Sequence, residues 1–341
     1  MAGTGTAHLR DRDRVLLRVE DLVVEFPASR GQKVHAVSNI SLDVLKGETL
    51  GLVGESGCGK STTGKAILQL PPPTSGTVTF EGTDITTLGG RDLRQVRTKL
   101  QMIFQDPISS LNPRRKVEQL VAEGLDIWGK GTKDERQKKV DDLLVTVGLD
   151  PTVARGRRAH QFSGGQCQRI SIARAVATEP ALIVCDEPVS ALDVSVQAQI
   201  LNLLEDMKEQ YGLTLIFIAH DLAVVKNISD RVAVMYLGRL CEVGDPDVLY
   251  QAPAHPYTAA LLSAIPVPDP AVRPDERTTL GGEIPSPLSP PSGCRFRTRC
   301  PRADEQCKQE VPEMHGIGAD HFVACHHPLA PGETLVDLRT S

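Results

Sequence analysis

The feature that most constrains this chain is a glycine-rich loop placed between an apolar run and a helical stretch. Residues 54–61 read G-E-S-G-C-G-K-S, which fits the pattern G-x-x-x-x-G-K-[ST]. The loop follows the apolar run 49–53 and opens a predicted helix over 60–70, which ends before the prolines at 71–73. This order of strand, glycine loop and helix is the context that a phosphate-binding loop requires. A glycine-rich turn with an accidental lysine is the alternative, and the flanking elements argue against it.

The residue types in this loop explain how it would hold phosphate. Glycines let the backbone curl so that successive N–H groups point inward, and the helix N-terminus adds its positive end. Lys60 is predicted to lie between the β- and γ-phosphates, and Ser61 is predicted to bind Mg²⁺. The predicted nucleotide-contacting residues of the loop are Gly54, Glu55, Ser56, Gly57, Cys58, Gly59, Lys60, Ser61 and Thr62.

A second set of residues matches the other half of a nucleotide site. An apolar run ends in Asp186, which suits the carboxylate that supports Mg²⁺, and in Glu187, which could accept a proton from an attacking water. His220 follows another apolar run and could contact the γ-phosphate. Gln105, at a strand-to-loop junction, could reach Mg²⁺ or water. Each of these residues alone could also belong to an ordinary strand end or loop. Together with the phosphate loop, the set predicts a nucleotide site.

The segment Phe-Ser-Gly-Gly-Gln at 162–166 predicts a second helix start that can bind an anion. Ser163 can cap the helix that follows, and Gly164 and Gly165 leave backbone N–H groups bare before Gln166. One nucleotide cannot easily use both helix starts of a single chain. The pattern therefore predicts that this start serves a nucleotide held by another chain, in a dimer with two shared sites. A plain Gly-Gly turn before a helix is the alternative.

Composition excludes several classes of protein. The 341 residues allow two or three domains, and a net charge of −5 lacks the basic excess of a nucleic-acid binder. Only 12 residues are aromatic, which argues against a stacking platform for bases. The longest apolar runs, such as 213–219, are far shorter than the roughly 20 residues that span a bilayer. Residues 1–14 are polar, do not resemble a secretory signal, and are expected to form a flexible N-terminus of a cytosolic protein.

The rest of the chain divides into two regions. Residues 15–260 alternate short apolar runs with amphipathic stretches and predict an α/β domain. Residues 261–341 hold 12 of the 24 prolines and four of the eight cysteines, which predicts an irregular extension. The predicted strands are 16–19, 22–25, 41–44, 49–53, 77–80, 103–104, 182–185, 214–219 and 232–236, and the predicted helices are 60–70, 134–147, 165–177 and 194–211.

The cysteines of the extension are spaced as C-x5-C-x6-C-x17-C, at Cys294, Cys300, Cys307 and Cys325. Four thiolates in a cytosolic segment could bind Zn²⁺ or an iron–sulfur cluster, although zinc sites usually have closer pairs. Unligated thiols remain an alternative. The neighbouring arginines that could offset thiolate charge are Arg295, Arg297, Arg299 and Arg302, and the alternative ligands are His315, His321, His326 and His327.

In their order along residues 15–260, these motifs resemble the ATP-binding cassette (ABC) family. The resemblance implies a P-loop NTPase with a RecA-like core, an antiparallel β subdomain, and an α-helical subdomain near 107–180 inserted between Gln105 and Asp186. It implies Glu187 as general base and His220 as γ-phosphate contact. It also implies that Asp193, in the turn 190–193, lies at the dimer seam, and that Phe26 stacks on adenine.

The extension resembles the ATP-binding subunits of oligopeptide/dipeptide importers, closest to the F-type subunit, through His255-Pro-Tyr-Thr and the proline-rich segment 286–294. This implies an ATP-hydrolysing subunit of a peptide importer, with ATP, Mg²⁺ and a [4Fe–4S] cluster on the four cysteines, zinc being the alternative. The implied partners are a second ABC ATPase in a heterodimer, two transmembrane permeases and an extracytoplasmic binding protein. The implied location is the cytoplasmic face of the cell membrane. An importer of another substrate such as nickel, or a non-transport ABC ATPase, remains open.

Overall fold

A computed structural model describes residues 5–265 and 282–333 of the chain. The chain separates into two compact units. One unit combines Met1–Thr87 with Ala219–Ser341, and the other is Leu88–Ile218. The first unit therefore contains the glycine loop and the C-terminal extension, whereas the second contains the segment 162–166 and the acidic pair at 186–187.

The N-terminal part of the first unit is rich in strands. Four of them form an antiparallel sheet in the order β2-β1-β4-β5. The elements are β1 Val15–Pro27, β2 Lys33–Leu45, β3 Thr49–Val53, α1 Lys60–Ile67, β4 Ser75–Phe80 and β5 Thr83–Asp84. The two strands predicted at 16–19 and 22–25 are one strand. A register shift lies between Val19 and Leu22, and Asp21 there has φ 51°, so a β-bulge lets the pairing continue past the polar residues.

The second unit consists of helices around three parallel strands in the order β8-β7-β6. Helix α8 is largely buried and contacts α3, α4, α6 and α9. The elements are α2 Gly90–Arg97, β6 Leu100–Ile103, α3 Pro107–Ser110, α4 Val117–Val121, α5 Glu123–Ile127, α6 Lys133–Thr146, α7 Pro151–Ala154, α8 Gly164–Val176, β7 Leu182–Asp186, α9 Val194–Tyr211 and β8 Thr214–Ala219.

Helix α9 illustrates how local sequence sets an element. Asp193 accepts a hydrogen bond from the N–H of Val196 at 3.0 Å, and Gly212 ends the helix in the left-handed region with φ 63°. Its buried side chains include Ile200, Leu203 and Leu204, which recur at helical spacing. The predicted bounds and both predicted caps are confirmed.

The C-terminal part of the first unit adds strands to β3. The strands run in the order β11-β12-β10-β9-β3, with β9 parallel to β3 and the other neighbouring pairs antiparallel. The elements are α10 Leu222–Ile228, β9 Arg231–Tyr236, β10 Arg239–Gly244, α11 Pro246–Gln251, α12 Pro256–Ser263, α13 Glu305–Gln309, β11 His315–Gly318 and β12 His321–Val323. The predicted α/β class is confirmed. The extension is less irregular than its composition indicates, because β11 and β12 continue the sheet.

Buried polar contacts hold residues 8–10 against the first unit. Within the predicted flexible N-terminus, His8 is buried against the carbonyl of Ser41, and Arg10 pairs with Asp43 and Glu48. Residues 1–4 lie outside the described range. No helix within residues 5–265 and 282–333 combines the length and apolar character needed to cross a membrane.

Candidate nucleotide site

The glycine loop between β3 and α1 has a backbone that only glycine can supply at two positions. Gly59 has φ 104°, and a Cβ there would lie 2.2 Å from the carbonyl oxygen of Ala36. A Cβ on Gly54 would lie 2.0 Å from the carbonyl oxygen of Met235. Helix α1 starts directly after Gly59. The loop is therefore packed against neighbouring backbone and presents a helix N-terminus, which favours an anion.

Lys60 is held within this loop. Its side chain is almost completely buried, and its Nζ donates to the carbonyl oxygens of Gly54 at 2.7 Å and Glu55 at 3.0 Å. A cation in this position can pair with phosphate oxygens that the loop N–H groups hold. Ser61, the predicted Mg²⁺ ligand, is half-buried in the first turn of α1.

Glu55 ties the loop to the C-terminal part of the same unit. Its N–H donates to the hydroxyl of Tyr257 at 2.9 Å, and its carboxylate accepts from Arg299 at 2.8 and 3.2 Å. Arg299 is one of the four arginines predicted to be able to offset thiolate charge, and it pairs with Glu55 instead, whereas the contact of Tyr257 was not predicted. Pairing between positions 244 residues apart leaves no local signal in a single sequence.

The second unit brings two predicted residues together. The amide of Gln105 donates to Oε2 of Glu187 at 3.0 Å. Glu187 has φ 45°, a strained value for a residue with a side chain, and its N–H donates to the carbonyl of Ile218 at 2.9 Å. Asp186, which ends β7, is buried. Oxygen ligands of these types are those that Mg²⁺ prefers, and a carboxylate oriented by an amide can act as a base.

The segment 163–166, here called the signature segment, begins α8 as predicted. Ser163 caps the helix by accepting from the N–H of Gln166 at 3.3 Å, and the Gln166 side chain accepts from the N–H of Ser163 at 2.9 Å. Both side chains are exposed. A Cβ on Gly165 would lie 2.7 Å from Val196, whereas one on Gly164 would meet its nearest neighbour, Leu192, only at 3.7 Å. The segment is a capped helix start whose outer face is open.

The remaining predicted residues lie at exposed positions. His220 follows β8, and Asp193 precedes α9. Hydrogen bonds from Ser195 and Val196 hold the pKa of Asp193 below its usual value. Phe26 is 37% exposed near the end of β1, where it pairs with Val34. An exposed aromatic ring at this position is available for stacking.

The four cysteines of the extension lie close enough to affect one another electrostatically in all six pairs. Burial, followed by the neighbouring thiols, raises the pKa of Cys300 to about 11 and that of Cys325 to about 12. The backbone segments that carry Cys294 and Cys307 lie side by side, since the N–H of Cys294 donates to the carbonyl of Cys307 at 2.8 Å. The four predicted ligands therefore lie in the same region of the extension.

The four thiols are a donor set that suits either a zinc ion or an iron–sulfur cluster, because both groups take cysteine thiolate ligands. The three metal-binding side chains whose ligand atoms lie within 4.8 Å of one another in the described residues are Asp304, Cys307 and His327, which share Cys307 with the predicted set.

The nearby histidines and arginines have other contacts. His321 pairs with Glu242 at 2.7 Å, and His327 pairs with Asp304 at 2.8 Å. Arg295 donates to Ser38 at 2.8 Å, and Arg297 donates to the carbonyl of Ser292 at 3.0 Å. These two arginines therefore have hydrogen-bond partners other than the thiols. Arg302 and Arg239 lie near enough to affect Cys300 and Cys294, respectively, and Arg239 was missed because it precedes the extension.

Comparison with known proteins follows the division of the sequence. Residues 37–190 match the ABC transporter family, and residues 241–307 match the family described as oligopeptide/dipeptide transporter, C-terminal region. The chain is 50% identical over 320 residues to the oligopeptide transport ATP-binding protein AppF of Bacillus subtilis, covering 91% of this chain and 97% of AppF. It is 49% identical over 325 residues to OppF of Salmonella typhimurium, covering 92% and 97%.

The chain belongs to the ABC transporter ATP-binding proteins. Its fold is that of known ABC cassettes: a dimeric post-hydrolysis cassette bound to ADP and Pi matches with a TM-score of 0.62 and 28% identity over 67% of this chain and 98% of that one. The cassette cbiO1 of Clostridium perfringens matches with a TM-score of 0.61 and 30% identity over 70% and 91%. The predicted family and P-loop NTPase fold are confirmed, and the chain is an ABC-type ATPase that binds ATP.

Proposed function

We propose that this ABC ATPase powers peptide import. The proposal rests on the phosphate loop, where Lys60 donates to the carbonyls of Gly54 and Glu55. The extension of the same chain matches the oligopeptide/dipeptide transporter region. Relatives about half identical over nearly the whole chain are named for oligopeptide transport. A nickel importer or a non-transport ATPase has no comparable support.

Residues 54–62 would hold the phosphates of MgATP. Ser61, Asp186 and Gln105 would hold Mg²⁺, which neutralises developing charge on the phosphates. Phe26 would stack on the adenine ring. Support comes from the glycine backbone of the loop and from the oxygen donors at each of these positions.

Glu187 would act as the general base. The hydrogen bond from Gln105 and the constrained backbone fix the carboxylate, so that it can orient water and accept its proton. Lys60 and His220 would stabilise charge on the transferring phosphoryl group.

Each ATP would lie between two cassettes. The signature segment, Ser163, Gly164, Gly165 and Gln166, would contact ATP held by a second ABC ATPase, and Asp193 would lie at the seam. The second cassette would be a different subunit, giving a heterodimer. The exposed cap at Ser163 supports this assignment, and a similar cassette is known as a dimer. Closure of the dimer would exclude water and complete both sites.

The other proposed partners are two transmembrane permeases and an extracytoplasmic binding protein. The helical subdomain near 107–180 would contact the permeases at the cytoplasmic face of the membrane. These partners would hold the chain at the membrane. No nucleic-acid partner is proposed.

Reconstitution tests this function. The complete importer is placed in proteoliposomes, and uptake of a labelled oligopeptide is measured with internal ATP. We expect uptake that requires ATP and is abolished by Glu187→Gln. Uptake of Ni²⁺ instead of peptide would contradict the substrate, and ATP hydrolysis without stimulation by the permeases would contradict the transport role.

We further propose that Cys294, Cys300, Cys307 and Cys325 hold a [4Fe–4S] cluster. The cluster would act as a covalent staple for a segment rich in proline. Iron and acid-labile sulfide are measured on protein purified without oxygen. Four of each per chain, lost in Cys300→Ala, are expected. One zinc per chain with no sulfide would support the zinc alternative.

A further inference from the structure

We propose that Arg299 and Tyr257 are positioning residues for ATP binding, which makes the C-terminal segment part of the nucleotide site. This inference rests on the proposed ATP site at residues 54–62. Neither residue is in the glycine motif, and both act through Glu55. They fix the loop in the conformation that holds Lys60.

Glu55 is held at each of its three polar groups. Its N–H donates to the Tyr257 hydroxyl at 2.9 Å, and its carboxylate accepts two hydrogen bonds from Arg299. Its carbonyl accepts from Nζ of Lys60 at 3.0 Å. A shift of Glu55 would therefore move one of the two carbonyls that position the lysine.

The two positioning residues are themselves buried and packed against aromatic rings. Tyr257 is completely buried, and its ring packs on Tyr236 and Phe296 with centroid distances of 4.7 and 5.4 Å. The Arg299 side chain is 4% exposed, and its guanidinium lies 5.8 Å from the centre of the Tyr236 ring. A rigid support of this kind lowers the cost of ordering the loop when the ligand binds.

Electrostatics gives Arg299 a second role. A carboxylate in a phosphate loop repels the anion that the loop binds, and Glu55 is such a carboxylate. Bidentate pairing with Arg299 neutralises this charge. Loss of Arg299 would leave an uncompensated, partly buried negative charge beside the phosphates. The effect should fall on ATP affinity, because neither residue touches the reacting atoms.

Binding of the Mg²⁺ complex of AMP-PNP, a non-hydrolysable ATP analogue, to the full chain tests the proposal by calorimetry. Arg299→Gln should weaken binding about tenfold, which corresponds to about 1.4 kcal/mol. The matched control is Arg297→Gln, two residues away, where the guanidinium donates to Ser292 and binding should be unchanged. In the assembled importer, Arg299→Gln should raise KM for ATP and leave kcat unchanged. Arg299→Lys, which keeps the charge, should recover part of the affinity.

The double variant Glu55→Gln/Arg299→Gln separates charge compensation from general packing. The double variant, which lacks both charges, should bind AMP-PNP more tightly than Arg299→Gln alone, because no unpaired carboxylate remains. Equal affinity in Arg299→Gln and Arg297→Gln would overturn the proposal. The proposal would also be overturned if the double variant bound AMP-PNP as weakly as Arg299→Gln does, or if both variants failed to fold. Failure of the wild-type chain to bind AMP-PNP would instead contradict the ATP site itself.

Discussion

Helices α1 and α8 both have glycines at their N-terminal ends, and they differ in what surrounds these ends. Helix α1 follows a loop with Lys60 buried across it and Glu55 clamped by Tyr257 and Arg299. Helix α8 follows Ser163, which is exposed and contacts its own helix through a capping box. The loop before α1 is therefore held by contacts within its own unit, whereas the capping residue of α8 is exposed.

This difference agrees with the two separate roles that we propose for these helix starts. The loop before α1 supplies a cation and a preformed cradle, which are the requirements for holding a polyphosphate. The signature segment has an exposed serine hydroxyl, and residues 163–166 include no cation. Under our proposal it completes a site whose other half belongs to a different chain.

The largest expected effect comes from Glu187→Gln, which separates binding at α1 from chemistry. Turnover should fall about 10²–10⁴-fold, the usual range for loss of a general base, while ATP binding is kept. Steady-state phosphate release and AMP-PNP calorimetry measure the two quantities. Glu205→Gln, an exposed acid on α9, is the control. Near-normal hydrolysis by Glu187→Gln would remove Glu187 as the base.

Lys60→Ala should impair the phosphate loop at the start of α1. Both ATP affinity and turnover should drop, with turnover falling about 10²–10³-fold, because a charge-stabilising donor is lost. Lys65→Ala in the same helix serves as control and should bind ATP normally. Unchanged affinity in Lys60→Ala would contradict the role of the loop.

Ser163→Ala tests the role of the other helix start, at α8. Thr132 caps α6 with the same geometry, accepting from the N–H of Glu135 at 3.3 Å, so Thr132→Ala is a matched control. Each variant should lose about 1 kcal/mol of stability. Only Ser163→Ala should also lose turnover, about tenfold, the effect of one hydrogen bond to a charged group. Equal turnover in the two variants would leave Ser163 as a structural cap.

The last effect concerns acid and the support of the α1 loop. His255 caps α12, which carries Tyr257, and burial lowers the pKa of His255 to about 4. Between pH 6.5 and 4 the unfolded chain binds a proton that the folded chain does not, so stability falls as the pH is lowered, by at most about 3 kcal/mol. Urea unfolding at each pH measures this. His255→Asn, which keeps the cap acceptor, should flatten the dependence, and an unchanged slope would exclude His255.

Local motifs predict much of this molecule, and long-range contacts do not follow from them. The loop at 54–61, the caps Asp193 and Ser163, and the bounds of α9 could be predicted because the residues that decide them lie within a few positions. Glu55 with Arg299, and β12 with β10, depend on pairing between distant segments. The bulge at Asp21 also escaped prediction, because its polar residues resemble a break between strands.

The central claim is that an ATP site is complete only when two cassettes meet. The direct test is ATP hydrolysis per chain as a function of concentration, with and without the second cassette, with the oligomeric state followed by sedimentation. The account predicts a rate that vanishes on dilution to monomers and rises as dimers form. A full rate per chain from a solution shown to contain only monomers would contradict it.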